Sequence, residues 1–183
     1  MTQALVHPVE GIHPRIFSDV FLAPTSVVVG DVEIGSESSI WFQVVLRGDV
    51  NSIAIGSASN IQDGAIVHCT YQTAPTRIGS GVTVGHGAIV HGCTIDDYVL
   101  IGMGAIVMDH AHVPSDTIVA AGALIREGMK LEPRSLYAGL PARKVKDLSE
   151  DQVAGIRRYA ELYRMYAGWF RSAGLDHSPL TSN

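Results

Sequence analysis

The residues of this 183-residue chain that could do chemistry crowd into its first half. The stretch "VGHGAIVHG" (84–92) carries His86 and His91, and "AIVH" (65–68) ends in His68. Three imidazoles can hold a divalent metal and leave a fourth coordination position open, which is the arrangement of a catalytic zinc. The spacing is the difficulty. Ligands that share a helical face stand three or four residues apart. Residues five apart on a flat strand, as His86 and His91 are, point to opposite faces. Another kind of backbone must hold them.

That backbone is written in a repeat of six. Aliphatic residues recur at Ile16, Leu22, Val28, Ile34, Ile40 and Leu46, then at Ile55, Ile61 and Val67, then at Ile78, Val84 and Val90. A last run passes through Ile95, Ile101, Val107, Val113, Val119 and Ile125. Four residues after each, the side chain is usually small or β-branched, as at Ser38, Ser59, Ala65, Ala88 and Ala105. Glycine often follows the aliphatic directly, as at Gly35, Gly56, Gly79, Gly85 and Gly102. A helix does not keep a period of six, and glycine weakens it. A flat sheet shows period two. Short strands separated by tight corners fit, and hexapeptide repeats are a signature of the β-solenoid.

With three hexads to a coil, a face returns after three hexads. Leu46, Val67 and Val90 then begin one face on successive coils, and Arg47, His68 and His91 follow them in a column. Rungs in such a column are about 4.8 Å apart. Asp63 and His86 form a second column on the preceding face. His68 and His91 can therefore share one ion, while His86 points elsewhere. In a trimer about a threefold axis, His86 of one chain can meet His68 and His91 of the next.

Composition narrows the classes. Aromatics are only 7% of the chain, so the core is aliphatic. The net charge of −5 argues against a nucleic-acid surface, which needs clustered Lys and Arg. No apolar run approaches the roughly 20 residues of a membrane span. The start "MTQALVHPVEG" does not read as a signal peptide. Cys69 and Cys93 make no disulfide framework and read as small buried residues. The expectation is a soluble, cytoplasmic protein. The solenoid is placed at 1–136, and an exit segment with a C-terminal α-helix at 137–175, within one domain. A tail at 176–183 is expected to fray. Ser149 is a suitable N-cap, with Glu150 and Asp151 favouring the positive helix end. Val153, Ile156, Ala160, Tyr163, Ala167 and Phe170 mark the apolar face beyond it. A parallel stripe holds Tyr159, Leu162, Tyr166 and Trp169. His7, His13, His110, His112 and His177 read as surface residues.

The stretches "WFQVVLRGDV" (41–50), "SNIQDGAIVH" (59–68), "VGHGAIVHGCTI" (84–95) and "AGLPARKV" (138–145) resemble the γ-class carbonic anhydrases. The resemblance implies a left-handed parallel β-helix, although general crossover rules favour the right hand. It implies a homotrimer with a metal at each subunit interface, held by His68 and His91 and by His86 of the neighbour. The family's metals are zinc, ferrous iron or sometimes cobalt. Arg47 and Asp49 would hold the trimer and shape the site, with Asp63 as the partner of Arg47 across the interface. Gln62 would hydrogen-bond the bound water or bicarbonate, and Asn60 would support that pocket. Tyr159 could reach it from the helix. The activity implied is reversible hydration of CO2 to bicarbonate. Zinc lowers the pKa of bound water from 15.7 toward ~7, and the hydroxide so formed attacks CO2. Highly active family members carry glutamates that pass protons to solvent. Here position 50 is Val50, and "CTYQTAPT" (69–76) has no carboxylate.

Bland readings stand beside these. Arg47, Asp49 and Asp63 would also make a structural ion-pair cluster, Asn60 a turn former, and Tyr159 a helix packing residue. Two other functions stay open. One is a hexapeptide acyltransferase using acetyl-CoA. The other is a metal-binding trimer that scaffolds a partner, or a related hydrolase.

Overall fold

The computed structural model describes residues 3–176. The tail expected to fray lies, from His177 onward, outside the described residues. The chain forms a parallel β-helix of about seven turns, left-handed as the repeat family implies, followed by one helix. Of the eighteen hexad aliphatics, only Ile16 is partly exposed, and the other seventeen are buried. They stack in register. One face carries Leu22, Ile40, Ile61, Val84, Ile101 and Val119 as successive rungs. A second carries Val28, Leu46, Val67, Val90, Val107 and Ile125. The third carries Ile34, Ile55, Ile78, Ile95 and Val113. Most strands are only two or three residues long, such as Thr83–Val84 and Leu100–Ile101.

The corners explain the period. Three residues after the inward aliphatic, the backbone takes positive φ, at Tyr98, Gly104, His110, Asp116, Gly122 and Gly128. These positions are six apart, so the left-handed turn residue is itself part of the repeat. The buried hydroxyls four residues after the aliphatic satisfy corner carbonyls: Ser38 Oγ donates to Gly56 O and Ser59 Oγ to Gly79 O, both at 2.8 Å. The glycine directly after the aliphatic serves another purpose. At Gly102, a Cβ would stand 2.4 Å from the backbone nitrogen of Ala121 on the next coil. Coils pack there at backbone distance.

Two strands within the coils are much longer. Val27–Ile34 and Val45–Ile55 run on through a corner and join two faces into one eleven-stranded sheet. Between them, Gly30 pairs with Gly48 and Val32 with Ile53. The longer strand therefore carries three extra residues at the corner. This bulge re-aims Asp49.

The segment read as an exit is more ordered than its glycine and proline suggested. Ser135–Gly139 extends the second sheet by pairing with Ile118–Val119, then turns through a cis Leu140–Pro141 bond into antiparallel Ala142–Asp147. Arg143, Lys144 and Lys146 are exposed on that last strand, which keeps the sheet edge from pairing further.

The helix α1 spans Glu150–Ser172. Ser149 Oγ accepts from Gln152 N, and the Gln152 side chain returns to Ser149 N, forming a capping box. α1 lies on the face that carries Asn60 and Thr83. Its N-terminal half buries Val153 and Ile156 against Leu100, Ile118 and Leu136. The Arg157 guanidinium sits 3.9 Å over the Tyr98 ring and donates to Asp116. At the other end Phe170 and Tyr163 pack edge-on against Trp41. The second helical stripe is different: Tyr159, Leu162 and Trp169 are exposed.

Candidate metal centre

His68 and His91 are direct rung partners on Ile66–His68 and Ile89–His91. Val67 and Val90 point into the core, so the next residue on each strand points out. Arg47 follows Leu46, the rung partner of Val67, and so stands on the coil below. His68 Nδ1 and His91 Nε2 face each other at 3.1 Å.

Each ring is braced from behind by a carboxylate. Asp49, lifted by the bulge, accepts from His68 Nε2 at 3.0 Å, and its other oxygen accepts from Arg47 Nη1 at 2.5 Å. Asp109 accepts from His91 Nδ1, and its other oxygen accepts from the Thr70 hydroxyl. Burial works against the charge on Asp49, but hydrogen bonds from His68 and Arg47 outweigh it and hold the carboxyl below its ordinary range. Asp109 is likewise lowered against its burial, by hydrogen bonds from Thr70 and His91. Thr76 ties the two strands together: its hydroxyl donates to His68 O at 2.5 Å and accepts from Gly92 N at 2.8 Å.

This bracing has a chemical consequence. With their outer nitrogens donating to carboxylates, two neutral rings point lone pair at lone pair. Only a cation between them, a proton or a metal ion, makes that favourable. Two nitrogens at 2.0–2.1 Å from a tetrahedral zinc lie about 3.3 Å apart. The observed 3.1 Å fits such an ion, and imidazoles backed by carboxylates are the usual second layer of a metal site.

His86 stands on a corner after Val84, where its Nδ1 pairs with Asp63 Oδ2 at 2.9 Å. This leaves Nε2 for another partner. His86 is thus a third imidazole backed by a carboxylate, but the chain does not bring it to the other two. Among the described residues, no three His, Cys, Asp or Glu side chains of one chain gather into a metal-binding group. Arg47 and Asp63, expected to meet across an interface, pair within this chain with Asp49 and His86.

The remaining candidates form a second cluster beside His86. Asn60 is buried, and its Nδ2 donates to Thr83 Oγ1 at 2.9 Å. Gln62 Nε2 donates to Asn60 Oδ1 at 3.0 Å. Gln62, His86, Tyr159 and Tyr163 line one groove of about 410 Å³ between α1 and the sheet, with Leu100 and Ile118 among its apolar walls. Burial, and then the nearby Asp63 charge, push the Tyr163 hydroxyl up. Cys69 directly follows His68 and Cys93 stands two residues after His91; both are free and buried, and burial pushes the Cys93 thiol up to about 12. His112 is paired with Asp96 at 2.8 Å on another face, and His110 is an exposed corner residue.

Asp109 and Thr70 escaped the sequence reading. The signal was present: Asp109 follows His91 by eighteen residues, one coil of three hexads.

The outward surface of the face bearing His68 and His91 is apolar. Val27, Val45, Ile66, Ile89, Ile106 and Leu124 stack in register along it. None is buried, and Ile66 is 43% exposed. The stack is a continuous row of partly exposed aliphatic side chains on the outside of the solenoid.

No protein-family model matches the chain. Among curated proteins, it is 42% identical over 155 residues to gamma carbonic anhydrase 2, mitochondrial, of Arabidopsis thaliana, covering 82% of this chain and 56% of that protein. The chain thus spans little more than half the length of this plant relative. It is 44% identical over 148 residues to a probable carbonic anhydrase of Methanocaldococcus jannaschii, covering 81% of this chain and 92% of that protein. Among solved structures, it overlays a hexapeptide transferase family protein from Anaplasma phagocytophilum with a TM-score of 0.87 at 37% identity, covering 91% and 98% of the two chains. With its hexad solenoid and column of imidazoles, the chain belongs to the gamma carbonic anhydrase family of hexapeptide-repeat proteins.

Proposed function

We propose that this chain is a metal-dependent CO2 hydratase that works as a homotrimer. Its ion, zinc or alternatively Fe2+ or Co2+, sits between chains on His68 and His91 of one and His86 of the next. The carrying observation is the 3.1 Å approach of two carboxylate-braced imidazoles on one column. His86, braced by Asp63, supplies the same ligand type from a corner its own chain leaves open. The exposed aliphatic ladder beside the column supplies a surface for a second copy to cover.

When bound, the ion supplies a water whose pKa is lowered from 15.7 toward ~7. The chain supplies the rest. Asp49, Asp63 and Asp109 keep a proton on the outer nitrogen of each ring, so the inner nitrogens stay lone-pair donors. The Asn60–Gln62 hydrogen bond orients the Gln62 amide: one Nε2 hydrogen goes to Asn60, which leaves Oε1 to accept from a protonated ligand and the second Nε2 hydrogen to donate. That orientation suits bicarbonate and water, which carry O–H donors. The apolar groove walls suit CO2, which carries none. Tyr159 borders the same groove, so an edge role there is assigned to it.

A second reading, a metal-binding trimer with little turnover, is favoured by one observation. Val50 and the loop 69–76 offer no carboxylate to carry protons away, and the exposed loop tip is Tyr71. The test is anaerobic purification, metal quantification and a CO2 hydration assay on one sample. Stoichiometric metal with hydration above background is expected. Full metal loading without hydration supports the second reading, and acetyl-CoA thioester cleavage would support an acyltransferase instead.

A further inference from the structure

The loop after His68 and the coil above His91 meet at a residue whose role the metal site alone does not explain. Asp109 lies one coil above His91, with its side chain only 16% exposed. One carboxylate oxygen faces His91 Nδ1, and the other is taken by Thr70 Oγ1. Both oxygens are thus directed, and the plane of the carboxylate is set by two groups from different segments. The backbone makes room for it. A Cβ on Gly92 would stand 2.5 Å from Asp109 Oδ1 and 2.7 Å from its Cγ. His110 N also donates to Gly92 O at 2.7 Å, which locks the Asp109 corner onto the residue after His91. The carboxylate partner of His86, Asp63, is more open, with its side chain 43% exposed.

We propose that Asp109 positions His91 for metal binding, and that Thr70 in turn fixes Asp109. This rests on the metal-site reading above. By accepting from Nδ1, Asp109 selects the tautomer that turns the Nε2 lone pair toward His68, and it fixes the ring against rotation about its own axis. Thr70 couples that orientation to the loop 69–76, whose other end reaches His68 O through Thr76. The loop thus holds the His91 ring through Asp109 and the His68 backbone through Thr76, while Asp49 sets the His68 ring.

The test uses the full chain and zinc alone, with affinity read by chelator competition. Asp109→Asn, which keeps the shape and loses the charge, is expected to weaken zinc binding by about 10–100-fold. Asp109→Ala should lose at least as much. Thr70→Val should show a smaller loss, and Thr70→Ser should restore wild-type affinity because it keeps the hydroxyl. Nitrogen NMR of the metal-free protein near pH 8 gives a second readout. Wild-type His91 should carry its proton on Nδ1, and Asp109→Ala should populate the Nε2–H form. A folded Asp109→Ala protein that binds zinc as tightly as wild type overturns the proposal, as does wild-type His91 protonated on Nε2. If the wild-type chain binds no zinc, the proposed function fails instead, and the tautomer of His91 decides the role of Asp109.

Discussion

His91→Ala and Val90→Ala change adjacent residues with opposite expected consequences. Val90 is 0% exposed and points into the solenoid. His91 is the next residue, its side chain 27% exposed on the outer surface. Val90→Ala removes two buried carbons, worth about 0.8 kcal/mol each before the cavity is counted. With a cavity that a close-stacked solenoid cannot collapse, the cost is about 2–3 kcal/mol. In a chain of this size 1 kcal/mol shifts the melting temperature by about 2–4 °C, so a drop of about 4–12 °C is expected. His91→Ala forfeits one hydrogen bond to the Asp109 carboxylate, about 1.5 kcal/mol net where solvent can reach the acceptor, and should melt within about 6 °C of wild type. Zinc binding should show the reverse order. His91→Ala loses it, while Val90→Ala keeps it in the folded protein. The assay is paired thermal melting of metal-free proteins at fixed concentration, then zinc titration of each. His91→Ala melting as low as Val90→Ala, or still binding zinc at wild-type affinity, would refute this separation of site from core.

Arg47→Ala removes the cation that holds Asp49 and should loosen the proposed trimer; an unchanged sedimentation profile would contradict that. Gly102→Ala places a Cβ against the Ala121 backbone and should cost about 1–3 kcal/mol, read as a lower melting temperature with zinc binding preserved. Asp49 and Asp109 are held below the ordinary carboxylate range. Their contribution to stability is therefore complete above about pH 4 and lost as pH falls through the lower folded values. Melting of the metal-free protein against pH should show this acid loss, and Asp109→Asn should show less of it.

The interior of the molecule could be read from residue types because its rule is simple. A buried position every six residues tolerates only Ile, Val or Leu, and the corners between need small or turn-forming residues. That rule also places Arg47, His68 and His91 in one line once the inserted residues at 46–55 and 67–78 are assigned to corners. It does not say which way an inserted residue turns. Asp49 reaches His68 only because the bulge at Gly48 re-aims it, and Thr70 reaches Asp109 only through the path of the loop. Asp109 was hidden for another reason: in a corner, a lone aspartate reads as turn chemistry. The Gly–Leu–Pro exit was read as punctuation, whereas pairing with Ile118–Val119 draws the residues before it into a strand. The ion proposed for His86 would be shared with a second chain, and stacking within one chain does not reach it.

The most direct measurement is complementation of the shared site. His86→Ala and His91→Ala chains, each alone, should fold and bind no zinc. Coexpressed in equal amounts, they assemble at random, and about a quarter of the interfaces join an intact His68–His91 pair to a neighbour's intact His86. Zinc in the mixed protein near that fraction is the result the account predicts. No zinc in the mixture, or full zinc binding by His86→Ala alone, would contradict it.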